Sequence, residues 1–506
     1  MDSGIKLIFT EKDWNDLHGG LIQPDALERV AVALLGRNDI DNPSKLYVRK
    51  LLVFDDEYFI SEEHNNSIFS RGRKMHNSHH CKLNLPGMQK MINLYNLGDV
   101  DGLIEVHSHP FSSQAAFSGF DDDKFGSLRK SILKRNKNNQ GFFARMVLGK
   151  EEAGFTCYYS DPNDANREKE IKEISIFGEK GYRVLHKHND IPSRVSMSER
   201  YLRNVEWLGE DRQASLQDKV IGIVGLGGGG FPFTLMAASA GFRHFILVDF
   251  DEIEEKNFNR LSGIKFTDTG RGKVEVVKEK LLLFDPTLDV KTCSKEFGSE
   301  EAQSLLRYAD TLVGAVDEDS VRLSMQIFAS QYMIPYFDIG CGIYLDESRR
   351  NILKKGNRIR VSIPGQPCLC CQGLNVNKIK SREQQQAEKL SGYITGTNDS
   401  PGSVVTLNTT GASMIVSLLI DYYTGINPIP QQIELDELKY EMKTRKFRSK
   451  SECKICGEEN IFGTGYQGKF ELPEGVEVLG SESQFEQLRA EDQLDNQDVV
   501  AESRNS

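Results

Sequence analysis

The sequence predicts an α/β protein of two successive units, and three observations carry that expectation. Strand-like runs alternate with helix-like segments along most of the 506 residues. KVIGIVGLGGGGF runs from a buried strand into glycines, and FPFTLMAASAG and FILVDF follow as helix and strand. Two C-x-x-C pairs close the second unit.

In the first unit, RVAVALLG, KLYVRKLLVF, GLIEVHSH and FFARMVLGK read as strands. HKHNDIPSRVSMS is polar, holds Pro192 and lacks periodicity, so it reads as a linker. The doubly wound unit starts near Ser198 and continues through the strand-like ADTLVGAVD and MIPYFDIG. Beyond about Glu471 the chain is acidic, polar and poor in aromatics, the composition of a disordered tail. The expected division is residues 1–188, a linker at 189–197, a second unit at 198–470 and a tail at 471–506.

A formal net charge of −11 sets nucleic acid and anionic membrane aside as main partners. The longest apolar run, SMIVSLLIDYY, is too short to span a bilayer, and MDSGIKLIFTEKDW does not read as a signal peptide. The expected location is the cytoplasm, where the nine cysteines serve as thiols or metal ligands.

IEVHSHPFSSQAAFSGFDDD carries the first chemistry. On a strand, His107 and His109 share a face while Ser108 points away. Pro110 ends the ladder. Ser118 and Asp121 stand about one turn apart at a helix entry. His107, His109 and Asp121 make a three-ligand zinc site with one position open, the form of a catalytic centre. H-x-H followed by S-x-x-D resembles the JAMM (JAB/MPN) metallopeptidase motif over the first third of the chain. The resemblance implies that Ser118 steadies an oxyanion and that Glu28, in PDALERVAVALLG, is the general base. Two spacings depart from the usual pattern: the His109–Ser118 loop and the Glu28–Gly36 interval are each one residue longer. His79, His80 and Cys81 lie in a polar stretch without a matching fourth ligand.

The second chemistry is a glycine turn with Gly225, Gly227, Gly228 and Gly230. Such a turn brings backbone N–H groups to phosphate at a helix N-terminus. Asp249, at the next strand end, suits ribose hydroxyls. The turn alone fits a dinucleotide enzyme equally well. VDFDEIEEKNFNRL and GRGKVEVVKEKL add Asp251, Asn257, Arg260 and Lys273, cationic company suited to a triphosphate. Asp317, in GAVDEDSVR, can hold Mg²⁺.

This combination resembles the ThiF/MoeB family, relatives of ubiquitin-activating enzymes, from about Ser198 to Gly468. The resemblance implies adenylation with ATP and Mg²⁺ of the C-terminal carboxylate of a ubiquitin-like β-grasp carrier. Asp249 would bind ribose, Asn257, Arg260 and Lys273 the phosphates, and Asp317 magnesium. ERYLRNVEW resembles the family's N-terminal helix, which implies a homodimer in which Arg203 reaches the partner's site.

Cys368, Cys371, Cys453 and Cys456 form two C-x-x-C pairs, the pattern of a closed structural zinc site, with a glycine after Cys456 permitting the turn. Cys370 is spare. The stretch after the first pair contains no cysteine, where relatives often carry a thioester-forming one. Three routes stay open. The adenylate passes to a separate conjugating partner, a hydroxyl among Thr395, Thr397 and Ser400 accepts it, or Cys370 or Cys341 serves.

A fused peptidase and activating domain implies one carrier handled twice, by processing or deconjugation and by activation, as in bacterial ubiquitin-like conjugation systems linked to antiviral defence. The rival classes are a sulfur-carrier activator, a nicotinamide-dependent oxidoreductase and a non-catalytic carrier-binding scaffold.

Overall fold

The computed structural model describes residues 4–59, 83–96, 102–113, 115–118, 141–160, 168–179, 181–187, 199–346, 351–374 and 404–465. The linker expected at 189–197, the tail from 471, Asp121, His79, His80, Cys81, Thr395, Thr397 and Ser400 lie outside these residues.

The first unit is a nine-stranded mixed sheet built from β1 (Lys6–Thr10), β2 (Val30–Arg37), β3 (Lys45–Val53), β4 (Gly102–His109), β5 (Phe142–Gly149), β6 (Phe155–Ser160), β7 (Glu168–Ile171), β8 (Glu173–Gly178) and β9 (Gly181–His186). The strand order is β7-β6-β5-β4-β2-β3-β1-β8-β9. Its central strands are apolar in both phases because both faces are covered. Ala31, Ala33, Ile104 and Val106 pack with Trp14 and Leu17 of the Glu11–Leu21 helix. Val30, Val32 and Leu103 pack on the other face with Met91 of the Leu85–Asn96 helix.

The second unit holds β10 (Val220–Val224), β11 (His244–Val248), β12 (Asp289–Cys293), β13 (Thr311–Gly314), β14 (Tyr336–Leu345), β15 (Ile352–Ser362), β16 (Gln432–Asp436) and β17 (Glu441–Arg445). The order is β12-β11-β10-β13-β14-β15-β16-β17. The first five are mutually parallel and the last three add antiparallel. The order reverses at β10, and open α/β sheets hold their ligands beyond the strands' carboxyl ends at such a point, here those of β10, β11 and β13. The Val405–Thr424 helix contains the SMIVSLLIDYY run and buries Ile415, Leu418 and Leu419 against this sheet. Among the described residues, no helix is long and apolar enough to cross a membrane.

The two sheets meet at a buried ionic cluster. Lys45 Nζ donates to the carbonyls of Tyr308 and Ala309 at 3.1 and 2.7 Å and pairs with Asp310 Oδ1 at 3.0 Å. Arg307 and Tyr308 both reach Asp39, and Arg49 Nε donates to Phe462 O at 3.1 Å. Burial works against the Asp310 carboxylate, but Lys45, Lys6 and Lys219 outweigh it and hold its pKa well below the ordinary carboxylate range.

A depressed folded-state pKa contributes stability above the unfolded value of about 3.9, and that stability is lost as pH falls toward the folded value. Asp310→Asn is therefore expected to cost about 3–5 kcal/mol at neutral pH, because it strands buried lysines. Urea unfolding between pH 7 and pH 3 checks this: wild type loses its excess over the variant as pH falls below about 4.

Candidate functional site

The glycine turn follows β10 and opens the Gly230–Ala240 helix. Gly225 has φ +87°, and a side chain there would meet Ala315 O at 2.6 Å. A side chain on Gly230 would strike the Gly225 carbonyl. Both positions need glycine for close backbone approach, which leaves the helix N-terminus bare for an anion.

Asp249 closes the turn from β11. Its Oδ2 accepts from Leu226 N at 2.5 Å and its Oδ1 from Asp251 N at 2.8 Å. Burial raises its pKa, with Lys273 opposing. Lys273 begins the Lys273–Phe284 helix, is itself buried, and reaches Asp251 at 2.6 Å and Asp249 at 3.8 Å. Asn257 is buried, its Oδ1 accepting from Glu254 N at 3.2 Å. Arg260 donates to Lys256 O at 3.0 Å, and its Cδ lies 3.3 Å from where a side chain on Gly228 would stand. Asp317 follows β13 in the segment that abuts Gly225 through Ala315 and Val316. The turn residues, Asp249, Asp251, Arg260, Lys273 and the Asp317 segment therefore converge.

Arg203 is not brought to this site by its own chain. Its side chain is 89% exposed on the Leu202–Leu208 helix and pairs with Glu206.

Two residues beyond the sequence expectation also build the site. Asn408 of the Val405–Thr424 helix stands against Gly228. Arg322 donates to Val316 O at 2.6 Å and to Asp338 Oδ1 at 3.0 Å, fixing the loop that carries Asp317. Arg322 was readable in GAVDEDSVR as a cation beside acidic residues. Asn408 carries no local signal, because only tertiary packing brings its helix to the turn.

Cys368, Cys371, Cys453 and Cys456 come together, and among the described residues they are the one group of three or more ligand-type side chains placed to hold a metal ion. Sγ atoms of Cys368 and Cys453 lie 3.6 Å apart, as do those of Cys371 and Cys456. A zinc tetrahedron with sulfur at about 2.3 Å puts sulfurs about 3.8 Å apart, so the residues fit the ion. A side chain on Gly457 would strike the carbonyls of Ser451 and Cys453, which explains the glycine there.

In the first unit, Val30 pairs with His107 across β2 and β4, which sets Glu28 opposite His109. Glu28 Oε1 lies 3.6 Å from His109 Nε2, and the His107 and His109 rings are 5.1 Å apart. Ser108 points to the other face, its Oγ accepting from Arg29 N at 3.0 Å. Ser118 is exposed, one residue beyond Phe117, which packs 5.8 Å from His107.

Parallel strands with a reversal at β10, a glycine turn and an acidic strand end define a nucleotide-binding, doubly wound α/β domain. The ThiF family model matches residues 200–455, about half of the chain, and the chain belongs to the ThiF family. It is 27% identical over 189 residues to SUMO-activating enzyme subunit 2 of Dictyostelium discoideum, covering 36% of this chain and 26% of that protein. It is 27% identical over 127 residues to the probable adenylyltransferase/sulfurtransferase MoeZ of Mycobacterium tuberculosis, covering 25% of this chain and 30% of that protein. The chain thus spans under a third of the length of either relative. The structure of E. coli MccB with ATP aligns with a TM-score of 0.41 and 20% identity, over 53% of this chain and 76% of that one.

Proposed function

We propose that residues 198–470 adenylate the C-terminal carboxylate of a ubiquitin-like or sulfur-carrier protein, using ATP. The observation that carries this reading is the cationic pair Arg260 and Lys273 beside the glycine turn, with Asp249 at the adjacent strand end. The similarity to an activating-enzyme subunit and to a probable adenylyltransferase/sulfurtransferase supports it.

The carrier carboxylate is already anionic and needs no general base. Its oxygen attacks the α-phosphorus, the bond to the bridging oxygen breaks, and pyrophosphate leaves. The chain's contribution is alignment and charge neutralisation. The turn's N–H groups receive phosphate, Asp249 receives ribose, and Arg260 and Lys273 offset the charge that moves onto pyrophosphate. Lys273 would exchange its Asp251 partner for phosphate. Asp317 would hold Mg²⁺, which supplies further neutralisation of the triphosphate. Homodimerisation would bring Arg203 to the partner's site. The test is ATP–pyrophosphate exchange with a carrier ending in a free glycine carboxylate. Absence of exchange, together with a thermal shift for NAD in place of ATP, would sink the reading.

A second reading is favoured by the Glu28–His109 contact at 3.6 Å. We propose that residues 1–188 form a zinc peptidase acting on the same carrier. His107, His109 and Asp121 would hold the ion, which supplies an activated water. Glu28 would take the proton from that water, and Ser118 would steady the oxyanion. Glu28→Gln is expected to lower cleavage of a carrier fusion by about 10²–10⁴-fold, with zinc content and pyrophosphate exchange unchanged. Unchanged cleavage would remove Glu28 from this role.

A further inference from the structure

Two helices frame the glycine turn, and both end on one aromatic cluster. The Gly230–Ala240 helix starts from the turn, and Phe242 follows it with its ring 6.1 Å from that of Tyr423. The Val405–Thr424 helix carries Asn408 near one end and the buried Tyr422 and Tyr423 at the other. Their rings lie 5.2 Å apart. β13 leads to the same place. Its first residue, Thr311, shares a hydrogen bond with the Tyr423 hydroxyl. Ala315, just past its far end, abuts Gly225 and Gly230.

The first unit supplies the remaining ring of this cluster. Tyr182 of β9 lies 5.3 Å from Tyr423 and 6.1 Å from Tyr422. Its hydroxyl shares a 2.8 Å hydrogen bond with Ser175 of β8, which ties the ring to its own sheet. The Lys219 ammonium stands 4.7 Å from the Tyr182 ring and 5.7 Å from that of Tyr423. Gly181 permits the close approach. It has φ +103°, and a side chain there would meet the Tyr422 carbonyl at 2.6 Å.

At the other end of the helix, Asn408 is buried with its carboxamide against the turn. A side chain on Gly228 would stand 2.1 Å from Asn408 Nδ2 and 3.3 Å from Arg260 Cδ. The helix spans about 22 Å from Asn408 to Tyr423 at 1.5 Å per residue. A close-packed helix held at both ends transmits a displacement rather than absorbing it. Moving its tyrosine end therefore moves the support under Gly228 and beside Arg260.

We propose that Tyr182 is a positioning residue for the nucleotide. It seats the tyrosine end of the Val405–Thr424 helix, and the helix sets the Asn408–Gly228 contact that shapes the phosphate-binding turn. The first unit is then part of the foundation of an ATP site that it does not touch. Coupling of this kind is reciprocal, so ATP must also tighten β9 against the helix. The nucleotide comes from the adenylation reading, on which this inference rests, and the test separates the two.

The full chain is used, with Tyr182→Ala, Tyr182→Phe, Asn408→Ala and the double variant Tyr182→Ala/Asn408→Ala. Three readouts are taken: the Kd for ATP by calorimetry, urea unfolding, and hydrogen exchange with and without ATP. Tyr182→Ala is expected to weaken ATP about fivefold, the lower end of ordinary coupling between sites. Tyr182→Phe keeps the ring and should stay within about twofold of wild type. Asn408→Ala should weaken ATP about tenfold, and the double variant no further, because the two residues act in series. ATP should slow exchange over Gly181–His186 about fivefold in wild type and leave it unchanged in Asn408→Ala. Wild-type ATP affinity in a destabilised Tyr182→Ala would reduce the cluster to a structural contact and overturn the proposal. Additive losses in the double variant would overturn it too. Should Tyr182→Ala not fold, the exchange comparison between wild type and Asn408→Ala decides alone: exchange over β9 that ignores ATP in wild type removes the coupling. ATP binding without coupling leaves the adenylation reading intact, and no ATP binding by wild type removes both.

Discussion

Arg260→Ala is expected to lower ATP–pyrophosphate exchange by about 10²–10³-fold, the usual effect of deleting one preorganised charge at a transition state. Arg260 is the cleanest residue for this test. Its recorded hydrogen bonds go to Lys256 O and Asn259 Oδ1 on its own short turn, so truncation leaves no buried ion behind. Folding stability should change by about 0.5 kcal/mol or less. Lys273 is a poorer choice, because removing it would strand the buried Asp249 beside Asp251 and mix stability with chemistry. The effect should fall mainly on kcat, since pyrophosphate gains charge as the bond breaks. The carrier cleavage proposed for the first unit should be unaffected by this change. Exchange within threefold of wild type would remove Arg260 from the reaction and leave only a nucleotide-binding fold. Loss of both activities would mean that the two sites are not independent.

The parts of this fold readable in the sequence are those where local chemistry and tertiary role coincide. RVAVALLG and GLIEVHSH read as strands because both faces are buried, so apolarity persists in both phases. The glycine turn was legible because close backbone contact between Gly230 and Gly225 excludes any side chain. The cysteine pairs were legible because four thiolates in that spacing have few other uses. Asn408 and the Lys45–Asp310 junction were not legible. Each is polar, and its meaning comes from a partner far along the chain: Asn408 with Gly228, Lys45 with Asp310. Lys45 reads in isolation as an ordinary solvated lysine, yet it is 5% exposed between the sheets. Arg203 shows the converse limit. Its motif was readable, but the role proposed for it needs a second copy of the chain, and within one chain it pairs with Glu206.

Removing metal from the four-cysteine site should produce a large loss of stability, comparable to that expected for Asp310→Asn. Cys368 and Cys371 follow β15, and Cys453 and Cys456 follow β17, so one ion would join segments 85 residues apart. Cys368 is fully buried and Cys456 nearly so. Four thiols packed at these distances without an ion keep only weak S–H contacts, whereas structural zinc contributes about 10–16 kcal/mol in isolated zinc-finger peptides. In a folded domain much of that is spent on a preformed site, so the expected fall is nearer the 2–5 kcal/mol typical of losing a covalent cross-link. The consequence reaches the first unit. Just after Cys456, the chain runs through Phe462, whose carbonyl receives Arg49, and Gly463, which packs against Tyr47 and Arg49. Cys456→Ser should therefore loosen the second unit and its contact with the first together. Zinc measured by elemental analysis should fall by one equivalent per chain, and hydrogen exchange should rise around both β3 and residues 453–465. Metal loss with exchange unchanged near β3 would confine the clamp to its own domain.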